Sequence, residues 1–193
     1  MLTINQTDVH EKEQQDLAEA ALIKRISEDK DREALTALYE CYRLPLGSFL
    51  HSRLREKRLV DEAFNDVMMV VWKQASKFRG DSKVSTWIFG IAYRTSLAMA
   101  RKESKHTDKT QDYELENIAQ SQESGMSEYV RAAMTELSEK HRSVIELTYY
   151  YGHSLSEISD IIDCPVSTVK TRLFYARQQM KSYIEKKINT PNQ

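Results

Sequence analysis

Apolar residues recur at three- and four-residue intervals along most of the chain, the spacing that gathers them on one face of an α-helix. Leu17, Ala20, Ala21 and Ile26 predict a first short helix. Ala34, Leu35, Leu38 and Tyr42, continuing through Leu46, Phe49, Leu50 and Leu54, predict a longer second one, bent around Pro45 and Gly47. Asp61 to Phe78 and Thr86 to about Lys102 read as a third and a fourth. From Glu103 to Met126 the period is lost among acids, Gln and Ser, which predicts a flexible linker of 24 residues. Helices are expected again near Glu128 to Leu137 and over Ser138 to Tyr151, the latter closed by Gly152, before a final pair. The pattern predicts an all-α protein of two small helical domains, residues 17–102 and 127–187, with a disordered tail at 1–16 and a short one at 188–193.

Composition narrows the chemistry. In 193 residues there are only 5 glycines and 3 prolines, too few for a many-turned sandwich or barrel. The glycines stand at 47, 80, 90, 125 and 152, so neither a P-loop nor a dinucleotide-binding glycine motif can be written. His10, His51, His106, His141 and His153 lack metal-ligand spacing with one another or with the cysteines, and no nucleophile elbow or HExxH motif occurs. No catalytic residue, metal or cofactor is expected. The longest apolar run, Val67 to Trp72, is far short of a membrane span, and the amino terminus carries no secretory pattern. A cytoplasmic protein is expected, with Cys41 and Cys164 reduced and serving as packing residues, redox sensing being the alternative.

The net charge of −1 conceals a segregation. Residues 1–47 carry −4, 48–106 carry +6, 107–127 and 128–165 carry −4 each, and 166–193 carry +5. Two basic blocks on an otherwise acidic chain point to two contacts with a polyanion, against the alternative of two solvated faces.

The second basic block follows a recognisable local motif. Ser154-Leu-Ser-Glu157 has the form of a capping box, opening a helix with Leu155, Ile158, Ile161 and Ile162 inward. That helix stops at Asp163-Cys164-Pro165, and Ser167 can begin another, which makes a helix-turn-helix. On the last helix Val166, Val169, Leu173, Ala176, Met180 and Ile184 form an apolar stripe. Opposite or beside it stand Ser167, Lys170, Thr171, Phe174, Tyr175, Gln178 and Lys181, with Arg172 at the edge. Hydroxyls, amides and cations so arranged suit base edges and phosphates in a major groove.

Two faces of the amino-terminal half carry signals of their own. On the third helix Phe64, Val67, Met68, Val71, Ala75 and Phe78 share the inward side, leaving Glu62, Asn65, Asp66, Met69 and Lys73 opposite. A bare methionine among carboxylates suits a protein contact, the alternative being a solvated face with one stray apolar residue. On the fourth helix Trp87, Gly90, Arg94, Arg101 and Lys105 share a face, preceded by the polar loop Arg79 to Thr86. An aromatic ring beside cations fits single-stranded DNA, where bases stack and phosphates are tracked; Trp87 as plain core is the rival.

Read in order, Asp61-Glu62-x-x-Asn65-Asp66 with Trp72, Phe78-Arg-Gly, Thr86-Trp87-Ile-Phe-x-Ile91-Ala92, Leu155-x-Glu157-Ile158 and Pro165-Val-x-Thr-Val-Lys-Thr-Arg172-Leu-x-x-Ala-Arg177 resemble the extracytoplasmic-function class of bacterial RNA polymerase sigma factors. The resemblance runs from about Leu17 to Ile184. It implies that the first domain is sigma region two, which binds core polymerase and melts the minus-ten element, and the second is region four, which reads the minus-thirty-five element. Asp61, Glu62, Asn65 and Asp66 match the polymerase-binding helix, with Met69 beside them on the stripe. Ser82, Lys83, Ser85, Thr86 and Trp87 match minus-ten recognition, with Arg94 and Arg101 on the same basic face. Ser167, Thr168, Lys170, Thr171 and Arg172 match the recognition helix, with Tyr175 and Arg177 following. Asn65 and Asp66 stand where glutamine and glutamate are commoner, a change that keeps the chemistry. Val84, Ser85 and Gly90 replace a commoner aromatic and two basic residues, which bears on minus-ten preference.

The expected partners are core RNA polymerase and promoter DNA, with room for an anti-sigma factor and none for membrane insertion. The rival from another class is a stand-alone helix-turn-helix regulator whose first domain senses a ligand or dimerises.

Overall fold

The computed structural model describes residues 6–104 and 125–189, which form eight α-helices and one 3₁₀ turn with no strand among them. The chain divides into two compact units, Met1–Gln111 and Asp112–Gln193.

The first unit holds α1 (Gln6–Asp29), α2 (Arg32–Leu54), α3 (Lys57–Gln74), a 3₁₀ turn (Ala75–Lys77) and α4 (Val84–Ser104). Of the tail expected over 1–16, residues 1–5 lie outside the described residues and the remainder is corrected: Gln6 to Asp16 are helical, in a stretch of Glu, Gln and Lys without glycine or proline. The inward phase of α1 is corrected as well. Ile23 and Ile26 are buried, whereas Leu17 is 72% exposed. What turns the helix is a polar contact: Glu19, 4% exposed, accepts a hydrogen bond of 2.6 Å from the Tyr42 hydroxyl. Burial, then the neighbouring Glu19 carboxylate, pushes the Tyr42 phenol far above its ordinary pKa and keeps it a donor.

Asp31 caps α2 by accepting from the amides of Glu33 (2.9 Å) and Ala34 (3.1 Å), and Arg25 of α1 pairs with it at 2.6 Å. The Ala34 amide, then Arg25, hold its carboxyl below the usual range. The bend expected at Pro45 gives no break, since α2 continues through it. Leu38, Tyr42, Leu46, Phe49 and Leu50 stay on one buried stripe across the proline, and their burial outweighs one lost backbone bond. Val67 and Val71 of α3 and Ile88 and Ala92 of α4 complete the core, with the Phe49 and Phe89 rings edge to face at 5.0 Å. Cys41, expected to pack, is exposed because Leu38 and Tyr42 set the phase on either side of it; Cys164 is half-buried.

The second unit holds α5 (Gly125–Thr135), α6 (Glu139–Tyr149), α7 (Leu155–Ile162) and α8 (Val166–Asn189). Arg142 donates to the carbonyls of Met134 (3.0 Å), Thr135 (3.1 Å) and Leu137 (3.1 Å), closing the otherwise open end of α5. Gly152 sits at φ +68, the left-handed conformation that lets the chain leave α6 and return the His153 amide to the Leu147 carbonyl at 2.9 Å. Val144, Leu147, Ile158, Ile161, Val169 and Ala176 form the core. Most of the linker expected over 103–126 lies outside the described residues; its first two residues end α4 and its last two begin α5. Ile188 and Asn189, expected in a tail, belong to α8.

Candidate polymerase and promoter surfaces

On α3 the two faces separate cleanly. Ala63, Phe64, Val67, Met68 and Val71 are buried, while Asp61, Glu62, Asn65 and Asp66 are exposed and Met69 is 49% exposed. The helix twist alone produces this alternation, because the buried positions recur at three- and four-residue steps. Arg58 meets Glu62 at 3.6 Å one turn earlier. The sequence reading missed that partner; the four-residue spacing of opposite charges was its signal.

Beside the end of α3, the 3₁₀ turn leads into Phe78 and the loop to α4. Arg79 pairs with Asp81 at 2.9 Å, and Gly80 takes φ +78. The loop is shorter than the sequence implied, since Val84 and Ser85 already belong to α4 and the Trp87 amide donates to the Lys83 carbonyl at 3.1 Å. Thr86 must be corrected as a candidate DNA contact: it is 2% exposed, on the buried side of the first turn of α4. Trp87 is half-buried, its ring tilted 44° against Phe78 with centroids 5.3 Å apart. Ser82 and Ser85 are half-buried, whereas Lys83, Arg94 and Arg101 are exposed; Lys105 lies outside the described residues. Lys83 meets Asp16 of α1 at 3.1 Å, a partner 67 positions away that no local pattern announces.

In the second unit the helix-turn-helix is built as its motif requires. The Ser154 amide donates to the Glu157 carboxylate at 2.7 Å and the Glu157 amide to the Ser154 hydroxyl at 3.2 Å. Asp163 takes the left-handed conformation, and the Ser159 hydroxyl donates to the Cys164 carbonyl at 2.6 Å, locking the turn. The Pro165 carbonyl then accepts from Thr168 (2.8 Å) and Val169 (3.1 Å), so α8 starts at Val166, one residue earlier than expected. Burying Val169, Leu173 and Ala176 leaves Ser167, Lys170, Thr171, Phe174, Tyr175 and Arg177 exposed. Thr168 and Arg172 are half-buried at the edge of that face. Arg177 is engaged within the unit: its guanidinium donates to the Tyr149 hydroxyl and lies 5.4 Å from that ring's centroid. The two line an apolar groove of about 560 Å³ with Val130, Met134, Ile145, Met180 and Ile184.

Among the described residues no cluster of His, Cys, Asp and Glu is arranged to hold a metal, and no helix is long and apolar enough to cross a membrane.

Comparison with known proteins identifies the family. The model of sigma-70 region 2 matches residues 38–106, and that of sigma-70 region 4 matches residues 127–180. The sigma factor YlaC of Bacillus subtilis is 25% identical over 168 residues, covering 81% of this chain and 95% of the relative. The ECF RNA polymerase sigma-E factor of Escherichia coli K12 is 28% identical over 184 residues, covering 88% and 95%. The fold is that of CnrH, solved with the cytosolic domain of CnrY (TM-score 0.64, 19% identity, 87% of this chain and 97% of that one). It is equally that of RpoE from Bartonella quintana, solved with the anti-sigma factor NepR (TM-score 0.64, 20% identity, 80% and 96%). None of these likenesses supports a stand-alone regulator. With both sigma regions matched in order and most of its length aligned to named sigma factors, this chain belongs to the extracytoplasmic-function class of the sigma-70 family, the promoter-recognising sigma factors of RNA polymerase.

Proposed function

We propose that the three exposed faces divide the work of a sigma factor among named residues. Asp61, Glu62, Asn65, Asp66 and Met69 of α3 dock on core polymerase, the carboxylates meeting basic groups and the methionine filling an apolar pocket. Ser82, Lys83, Ser85 and Trp87, with Arg94 and Arg101 along α4, hold the single strand exposed when the minus-ten element opens. Trp87, braced by Phe78, offers a ring edge or face for an unpaired base. Ser167, Thr168, Lys170, Thr171, Arg172 and Tyr175 enter the major groove at the upstream element, where the first turns of a recognition helix meet base edges. Arg177 completes this face while anchored to Tyr149. The observation that carries the reading is the stripe on α3, where every polar position and Met69 face outward while their neighbours are buried.

On this reading the protein performs no covalent chemistry, takes no cofactor and works in the cytoplasm with polymerase. Region two lies in the first unit, from α1 to α4, and region four in the second, from α5 to α8. An anti-sigma factor is a third partner, in keeping with CnrH and RpoE, which were solved with CnrY and NepR. The test is binding to core polymerase by Glu62→Lys combined with Asp66→Lys, both exposed. Binding should be abolished with circular dichroism unchanged; full affinity would show that the stripe is only solvated.

A further inference from the structure

Lys83, at the mouth of the minus-ten surface, faces a carboxylate supplied by another helix, Asp16 of α1, at 3.1 Å. The Lys83 side chain is 46% and the Asp16 side chain 34% exposed, so the pair is partly shielded from water. The helix that carries Asp16 is anchored close by. Glu19, one turn later, is buried and accepts from Tyr42 at 2.6 Å and from the Gln15 amide nitrogen at 3.0 Å, while Ile23 and Ile26 bury the helix further on. As a whole α1 packs chiefly on α2 and also against the 3₁₀ turn and α4, the two elements that flank the promoter loop. The carboxylate of Asp16 is thus presented to the Lys83 ammonium from a helix packed on the rest of the first unit.

We propose that Asp16 is a positioning residue that sets the affinity of the minus-ten surface, acting through Lys83. The inference rests on the reading that Lys83 meets DNA. In the free protein the Asp16 carboxylate occupies the ammonium; DNA must either displace it or accept a cation whose charge is already half cancelled. Both routes lower affinity for any polyanion, and neither depends on sequence, because a phosphate carries none. The contact thereby lowers affinity for every sequence by about the same factor and leaves the ratio between promoters unchanged.

The test uses the full-length chain in complex with core polymerase, read by anisotropy of a fluorescein-labelled single-stranded DNA of mixed sequence, with core polymerase alone as background. Asp16→Asn should tighten binding about two- to fivefold at low salt, the range expected for losing one partly exposed ion pair. The gain should shrink at higher salt, where the pair is screened, which a merely structural change would not do. Asp16→Glu should restore the weaker binding. In a Lys83→Gln background Asp16→Asn should have no effect. If Lys83→Gln weakens binding while Asp16→Asn leaves it unchanged or weakens it, the inference is overturned and the reading of the loop survives. If Lys83→Gln has no effect at all, both are overturned.

Discussion

Tyr42 and Asp31 show how single polar groups place α1. Glu19 is a buried carboxylate, a costly group unless hydrogen-bonded, and Tyr42 supplies its shortest bond. Tyr42→Phe keeps the ring and removes the donor, so it should destabilise the first unit by about 1–3 kcal/mol, measured by urea unfolding. A loss below a few tenths would mean that Gln15 alone satisfies the carboxylate. Asp31 has a pH signature. Its folded pKa lies below the ordinary value, so its contribution is fully present above about pH 4 and is lost as pH falls through the lowered folded value. Asp31→Ala should lower Tm at neutral pH, and the gap to the parent should close on acidification; a constant gap would rule out linkage to this carboxyl. The inward turn of Glu19 was not legible in the sequence, because a charged residue reads as solvent-facing until its partner is known.

At the scale of elements, ends and junctions are what local rules describe best. The capping box at Ser154 was legible from four residues and is present with both of its hydrogen bonds. Ser154→Ala should cost about 1 kcal/mol, seen as a lower unfolding midpoint of the second unit, because α7 has only 8 residues over which to recover it. The α2 to α3 junction was not legible. Arg55 there takes φ 58 and ψ −41, and the Glu56 amide meets the Leu54 carbonyl at 2.6 Å, a tight turn that L residues rarely adopt. Relief of about 1–3 kcal/mol of strain exceeds the roughly 0.5–1 kcal/mol that glycine costs through chain entropy. Arg55→Gly should therefore raise Tm of the first unit; an unchanged or lower Tm would show that the backbone is not strained. No turn residue marks this position, since packing of α2 against α3 imposes it.

For the molecule as a whole, each unit has a core of its own, Leu38, Phe49, Val67 and Ile88 in one and Leu147, Ile158, Ile161 and Val169 in the other. Fragments Met1–Gln111 and Asp112–Gln193 should each melt cooperatively when expressed alone. The second should have the lower Tm, because smaller units bury a smaller fraction of their surface. A fragment with no cooperative transition would show that its core is incomplete without the other half.

What the sequence determined by itself was whatever depends on residues within a turn or two of one another. Helical class, the buried side of α3, the stripe around Met69 and the polar face of α8 all follow from a twist of 3.6 residues per turn acting on a fixed order of side chains. The tertiary structure decided what depends on contacts between distant segments. It turned Glu19 inward and Leu17 outward, buried Thr86, carried α2 through Pro45, braced Trp87 on Phe78 and set Asp16 against Lys83. In each case the local preference is small, a fraction of a kcal/mol to a few, and a partner many residues away supplies a larger energy of burial or pairing.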